Sequence, residues 1–75
     1  MDLKSEIGLK IKQRRKELGL EQVDLCEMAE VGSTTLSKLE QGKGNITLDV
    51  LEKLIDVLGL ECILELISLV PKIKL

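Results

Sequence analysis

The chain contains no histidine and no phenylalanine, tyrosine or tryptophan, only two cysteines and one proline among 75 residues. Without histidine, the commonest general base and the commonest metal ligand are gone. Without aromatics, the side chains on which single-stranded bases stack are gone as well. No nucleophile paired with a base and no metal-ligand cluster can be assembled from what remains, so neither an enzyme nor a cofactor or metal site is expected. Cys26 and Cys62 lie among apolar neighbours with no signal peptide ahead of them, which predicts reduced core thiols in a cytoplasmic protein rather than a disulfide framework. The apolar C-terminal stretch is broken by Glu61, Glu65 and Ser68, and its runs fall well short of the ~20 residues that span a bilayer. No membrane association is expected.

A strong excess of basic charge is also missing. The net charge is −2, unlike a protein that coats nucleic acid without selectivity. The charge is segregated, however. Residues 1–19 carry Lys4, Lys10, Lys12, Arg14, Arg15 and Lys16 against Asp2, Glu6 and Glu17, a local balance of +3 that leaves −5 for the rest. Contacts with phosphates must therefore come from local patches and be weak and salt-sensitive away from a specific site. A chain of this length makes one domain, residues 1–75, and buries only about 60% of its unfolded surface, so dimerisation is the natural supplement to its core.

Apolar periodicity predicts four helices. The first runs from about Leu3 or Ser5 to Leu18, with Ile7, Ile11, Arg15 and Leu18 on one face, a basic opposite face, and Gly19 to stop it. A second, from about Gln22 to Ala29, buries Leu25, Cys26 and Ala29. Val31 then plugs the turn. A third helix starts near Ser33 behind Gly32 as cap, with Val31 and Leu36 spaced as a hydrophobic staple. The loop Gly42 to Asn45 ends it. Thr47 caps a fourth helix presenting Leu48, Leu51, Leu54, Ile55 and Leu58, which Gly59 ends.

The segment ECILELISLV after Leu60 reads two ways. Glu61, Glu65 and Ser68 suit a helix, whereas the alternation of Cys62, Leu64 and Leu66 with the glutamates, stopped by Pro71, suits a strand. A single strand in an otherwise helical chain would lack an internal partner and would pair with the same strand of a second copy. Residues 60–75 are thus the expected dimerisation segment. The fold class is all-α, with four to five helices and a C-terminal segment that is either a dimerising β-strand or a further helix.

Leu20 to Lys43 outlines two short helices joined by a tight turn, a helix-turn-helix. The third helix turns Ser33, Thr34, Ser37, Lys38 and Gln41 away from Leu36 and Leu39, a narrow polar stripe that fits a DNA groove. With the order L-x-Q-x-x-L-x-x-x-A-x-V from Leu20, S-K-L-E-x-G-K from Ser37 and N-I-T-L-x-x-L from Asn45, the chain resembles the helix-turn-helix family of phage repressors and Cro. It looks closest to the short antitoxin repressors of the Hip type, over about Ile7 to Leu60.

The resemblance implies a homodimer that sets the third helix of each copy into successive major grooves of double-stranded DNA, as a transcriptional repressor. It further implies an antitoxin role with a kinase-like toxin as partner. By position, Gln22 at the start of the second helix matches a phosphate contact, aided by the positive helix end. Ser33, Thr34, Ser37 and Lys38 match base-reading positions, and Lys43 and Asn45 a phosphate-contacting loop. Arg15 and Glu40 match an internal salt bridge, which leaves Arg14 and Lys16 as further phosphate candidates. Thr35, off the stripe, is assigned to packing between helices.

The chain departs from the family at Ser33, where relatives often carry a longer amide or a base, at Glu21, where a small cap is common, and at Glu30, where a turn glycine is usual. An alternative of another class remains open: an adaptor that uses the fold to bind a protein, suggested by Glu21, Asp24, Glu27 and Glu30 on the second helix.

Overall fold

A computed structural model describes residues 2–63 and 68–71. Four helices, α1 (Leu3–Glu17), α2 (Gln22–Ala29), α3 (Ser33–Glu40) and α4 (Leu48–Leu58), are followed by strands β1 (Leu60–Ile63) and β2 (Ser68–Pro71). The helix ends follow from local chemistry. Asp2 accepts a hydrogen bond from the Ser5 N–H at 2.9 Å, and Thr47 one from the Val50 N–H at 3.2 Å, each satisfying a donor that a helix start leaves orphaned. Gly59 closes α4 in the left-handed conformation at φ 65°, and Gly19 follows α1 at φ 71°.

Each helix contributes to one core. Ile11 of α1, Leu25 of α2, Leu36 of α3, and Leu54 and Leu58 of α4 are fully buried, and burial of side chains of this size stabilises by about 1.5–3 kcal/mol each. Val31 is buried in the same core, as expected of the turn plug. Cys26 is buried too, as expected of a core thiol, and desolvation pushes it up from the ordinary range. Cys62 falls outside the described side chains.

Two expected core positions are not in the core. Leu18 lies beyond the last residue of α1, as its C-cap, and is 44% exposed. Leu48, the first residue of α4, is 83% exposed, whereas Val50 and Leu51 of the same turn pack against the core.

The tail also differs from expectation. β1 pairs antiparallel with β2, Leu60 opposite Pro71 and Ile63 opposite Ser68, so the strand finds a partner within its own chain instead of requiring a second copy for one. Reading 61–70 as one element hid this, because the run folds back on itself. The expectation for 64–67 and 72–75 falls outside the described residues. Leu60 is buried at the end of α4, which ties the start of the hairpin to the core.

Two backbone features set the pose of α3. Gly8 lies where α1 crosses α3, and a Cβ there would collide with the Leu39 carbonyl. Glycine costs about 1 kcal/mol in a helix interior, so its place in the middle of α1 is explained by this contact. Glu30, between α2 and α3, is left-handed at φ 55°, ψ 48°, a conformation costly for a side chain with a Cβ and the one expected at this turn from its glycine-bearing counterparts.

Gly8→Ala is expected to lower the free energy of unfolding by about 1–3 kcal/mol in denaturant titration, despite alanine's better helix propensity, because overpacking outweighs it. A rise would show that α1 and α3 do not need this approach. Glu30→Gly is expected to raise it by about 1 kcal/mol, the left-handed penalty less the added entropy of the unfolded glycine. An unchanged or lower thermal midpoint would contradict a strained turn.

Candidate nucleic-acid interface

An eight-residue helix is too short to hold its own direction in water, so α3 must be fixed by its neighbours. Its buried side, Leu36 and Leu39, enters the core. Its last residue, Glu40, is held by a polar clamp. Arg15 of α1 donates from Nε to Glu40 Oε2 at 2.8 Å and from Nη2 to Oε1 at 2.9 Å, and from Nη1 to the Leu20 carbonyl at 2.8 Å. Gln22 of α2 adds a third hydrogen bond to the carboxylate, Nε2 to Oε1 at 3.0 Å. The Arg15 and Glu40 side chains are only 7% and 3% exposed, and the expected internal salt bridge is present.

Burial works against the Glu40 charge, but the hydrogen bonds from Arg15 and Gln22 outweigh it and hold the carboxyl below its ordinary value of 4.5. The same pairing raises Arg15, which stays charged throughout.

On the exposed side of α3, Ser33, Thr34 and Lys38 face outward and Ser37 is half-buried, its Oγ accepting from Gln41 Nε2 at 3.3 Å. The loop after α3 turns through two left-handed glycines, Gly42 at φ 74° and Gly44 at φ 75°, and the Lys43 N–H donates to the Lys38 carbonyl at 2.8 Å. Loop and helix thereby enclose an open notch that brings together Thr34, Lys38, Lys43 and Asn45. Ser33 and Ser37 stay outside its lining. Gln22 stands apart at the start of α2 and is joined to α3 through Glu40, with its amide nitrogen already engaged there.

Thr35 was expected to pack between helices. It is exposed and lines the same notch, because the loop stands off from that flank of α3 and leaves it open. Helical spacing placed Thr35 off the stripe, and nothing local in the sequence shows how far the following loop stands away. Arg14, expected as a free phosphate ligand, is also committed elsewhere. Its Nε donates to the Leu58 carbonyl at the end of α4 at 2.9 Å, and its Nη1 to Glu17 at 3.3 Å. Lys16 remains exposed.

On α2, the Glu21 N–H donates to Asp24 Oδ2 at 2.9 Å, so the first-turn carboxylate satisfies an orphan donor where a small cap is commoner. Val23 and Met28 on this helix are each 58% exposed. Among the described residues, no three histidine, cysteine, aspartate or glutamate side chains group as a metal site, and no helix is long and apolar enough to cross a membrane.

Glu40→Ala is expected to lower the melting temperature substantially, at a cost of about 3–5 kcal/mol for stranding the Arg15 charge, while Lys38→Ala leaves it unchanged. Equal losses would reject the division between clamp and reader. Because the Glu40 carboxyl is depressed, its contribution is complete above 4.5 and is lost as pH falls through its lower folded-state value. Asp2, lowered by the Ser5 N–H, acts in the same direction. Acid titration of stability should show Glu40→Ala converging on the parent at low pH; a constant gap would refute the linkage.

Known proteins share this fold. The restriction-modification controller protein C.Esp1396I is 31% identical, with a TM-score of 0.72 over 77% of this chain and 75% of that one. It is also solved as a tetramer in complex with its natural 35 base-pair operator, where the match covers 77% of this chain and 76% of that one at the same identity and TM-score. The clp gene regulator ClgR from Corynebacterium glutamicum is 25% identical, with a TM-score of 0.74 over 79% of this chain; only 63% of the ClgR chain is covered. No curated protein matches the sequence significantly. The helix-turn-helix family model HTH_3 matches residues 11–62, most of the chain and all of α2, α3 and α4, and the protein belongs to this family, that of the phage repressors and Cro.

Proposed function

We propose that the protein is a DNA-binding transcriptional regulator that acts as a homodimer, setting α3 of each copy into successive major grooves and repressing the promoter it occupies. The observation that carries this is the exposed polar side of α3, with Ser33, Thr34 and Lys38 outward, clamped from behind through Glu40 and flanked by the loop of Lys43 and Asn45. In this reading the stripe faces base edges, while Lys43, Asn45 and the N-terminal end of α2 at Gln22 take phosphates. The operator complex of C.Esp1396I, a relative with 31% identity, supports it. The tail after Leu60 supplies the dimer contact, by the outer edges of its hairpin rather than by a lone strand. Action in the cytoplasm follows from a DNA target.

An antitoxin role with a kinase-like toxin rests on the resemblance to Hip-type repressors alone; the solved relatives are a restriction-modification controller and a gene regulator. A second reading, a protein-binding adaptor, is favoured by one observation. Val23 and Met28 are exposed on the acidic α2, a mixed surface that DNA would repel and a basic protein partner would accept.

The test is binding to duplex DNA from upstream of its own gene at several salt concentrations. Specific binding should exceed that to scrambled duplex by at least about a thousandfold and weaken steeply with salt. Equal affinity for both duplexes would reject the regulator and leave the adaptor.

A further inference from the structure

Lys38 is the only cationic side chain of α3. Its stem is not free. A methyl placed on Gly44 would lie 3.5 Å from Lys38 Cβ and 3.6 Å from its Cδ, so the first carbons of the lysine run over the bare backbone of the loop glycine. The Lys43 N–H holds the Lys38 carbonyl at 2.8 Å, tying the same loop to the residue's backbone. The ammonium has no carboxylate partner among the described residues, where the ion pairs are Arg14 with Glu17 and Arg15 with Glu40. A lysine restrained along its stem loses less rotamer freedom on contact than an unsupported one, and its charge is still unspent.

We infer, resting on the DNA-binding reading above, that Lys38 is the specificity determinant of this protein and that the base it takes is guanine. An ammonium offers donors and no acceptor. In the major groove only guanine presents two adjacent acceptors, O6 and N7; adenine couples N7 to a donor, thymine sets a methyl beside O4, and cytosine presents a donor. The hydroxyls of Ser33, Thr34 and Ser37 both donate and accept, so they position the helix without choosing among bases. Lys43 and Asn45, across the notch from Lys38, take the backbone phosphate. Each half-site therefore holds one required guanine among tolerant neighbours.

The experiment is selection from a random duplex library by the full-length protein and by Lys38→Met, which keeps the stem and removes the donors. The parent should enrich half-sites with one invariant guanine, and Lys38→Met should lose that guanine while retaining the other preferences. Replacing that base by 7-deazaguanine should weaken the parent roughly tenfold and leave Lys38→Met unchanged. This arm uses the native protein and does not depend on the variant's folding.

Suppose instead that Lys38→Met enriches the same guanine, binds all sequences uniformly more weakly, and shows a salt slope shallower by about one. Lys38 would then be a phosphate contact and the inference would fall while DNA binding stood. Failure of both proteins to enrich any sequence would remove the DNA-binding reading and this assignment with it.

Discussion

The pose of α3 depends on one buried ion pair, Arg15 with Glu40. Taking two charges out of water costs more than a simple contact returns unless geometry is good and the remaining donors and acceptors are satisfied. Here the guanidinium meets the carboxylate with two nitrogens and the Leu20 carbonyl with a third, and Gln22 completes the carboxylate. An apolar contact of the same size would stabilise the core as well but carries no directional hydrogen bonds. The fork geometry fixes direction, and it links α1, the start of α2 and the end of α3 at one point. The two eight-residue helices of the helix-turn-helix are thereby held against the longer α1, which is the element able to serve as a reference.

The backbone around α3 is arranged to the same end. Glu30 bends left-handed ahead of it, Gly42 and Gly44 bend left-handed behind it, and Gly8 removes the side chain that would hold α1 off Leu39. Two of these depart from local preference, Gly8 inside a helix and Glu30 where φ is positive. The departures agree with one another because all serve the placement of a single short helix, which is how conflicts between local propensity and global fold are resolved at functional elements. The loop that follows then lies close enough to α3 to support the stem of Lys38 and far enough away to leave the notch open.

The helix bounds were legible from the sequence because caps and apolar spacing act over three or four residues: Thr47, Gly19, Gly32 and Gly59 stand where the chain starts or stops its turns. The Arg15–Glu40 pair was legible through resemblance, since two charges on apolar faces invite each other. What escaped depends on distant chain. The acceptor for Arg14 is a carbonyl 44 residues away, and a backbone carbonyl has no signature in sequence. Leu18, Leu48 and Thr35 are exposed although periodicity sets them toward neighbours, because burial needs a facing segment and spacing does not show which one reaches them. The hairpin after α4 was hidden because an apolar run that folds back on itself has the composition of one that continues. Of the candidate readers, Ser33, Thr34 and Lys38 face outward as expected while Ser37 is half-buried, and the support under Lys38 required the loop to be seen in place.

On the proposed function, the acidic balance of the chain has a consequence for how selectivity is reached. A protein with net charge −2 gains little from the phosphate lattice at large, so random duplex competes weakly for it and each specific contact counts for more of the total. Three hydroxyl side chains and one lysine per copy offer few discriminating contacts. A single half-site is then too poor a target to hold one copy. Two copies joined through the tail convert the second contact into an intramolecular event, whose strength is set by the geometry of the junction rather than by new side chains. That places a structural demand far from α3. The junction between α4 and the hairpin must be stiff, and it is there that Arg14 of α1 grips the Leu58 carbonyl and Leu60 is buried. On that reading Arg14, expected at a phosphate, acts instead on the other factor in affinity, the fixed relation between α3 and the tail.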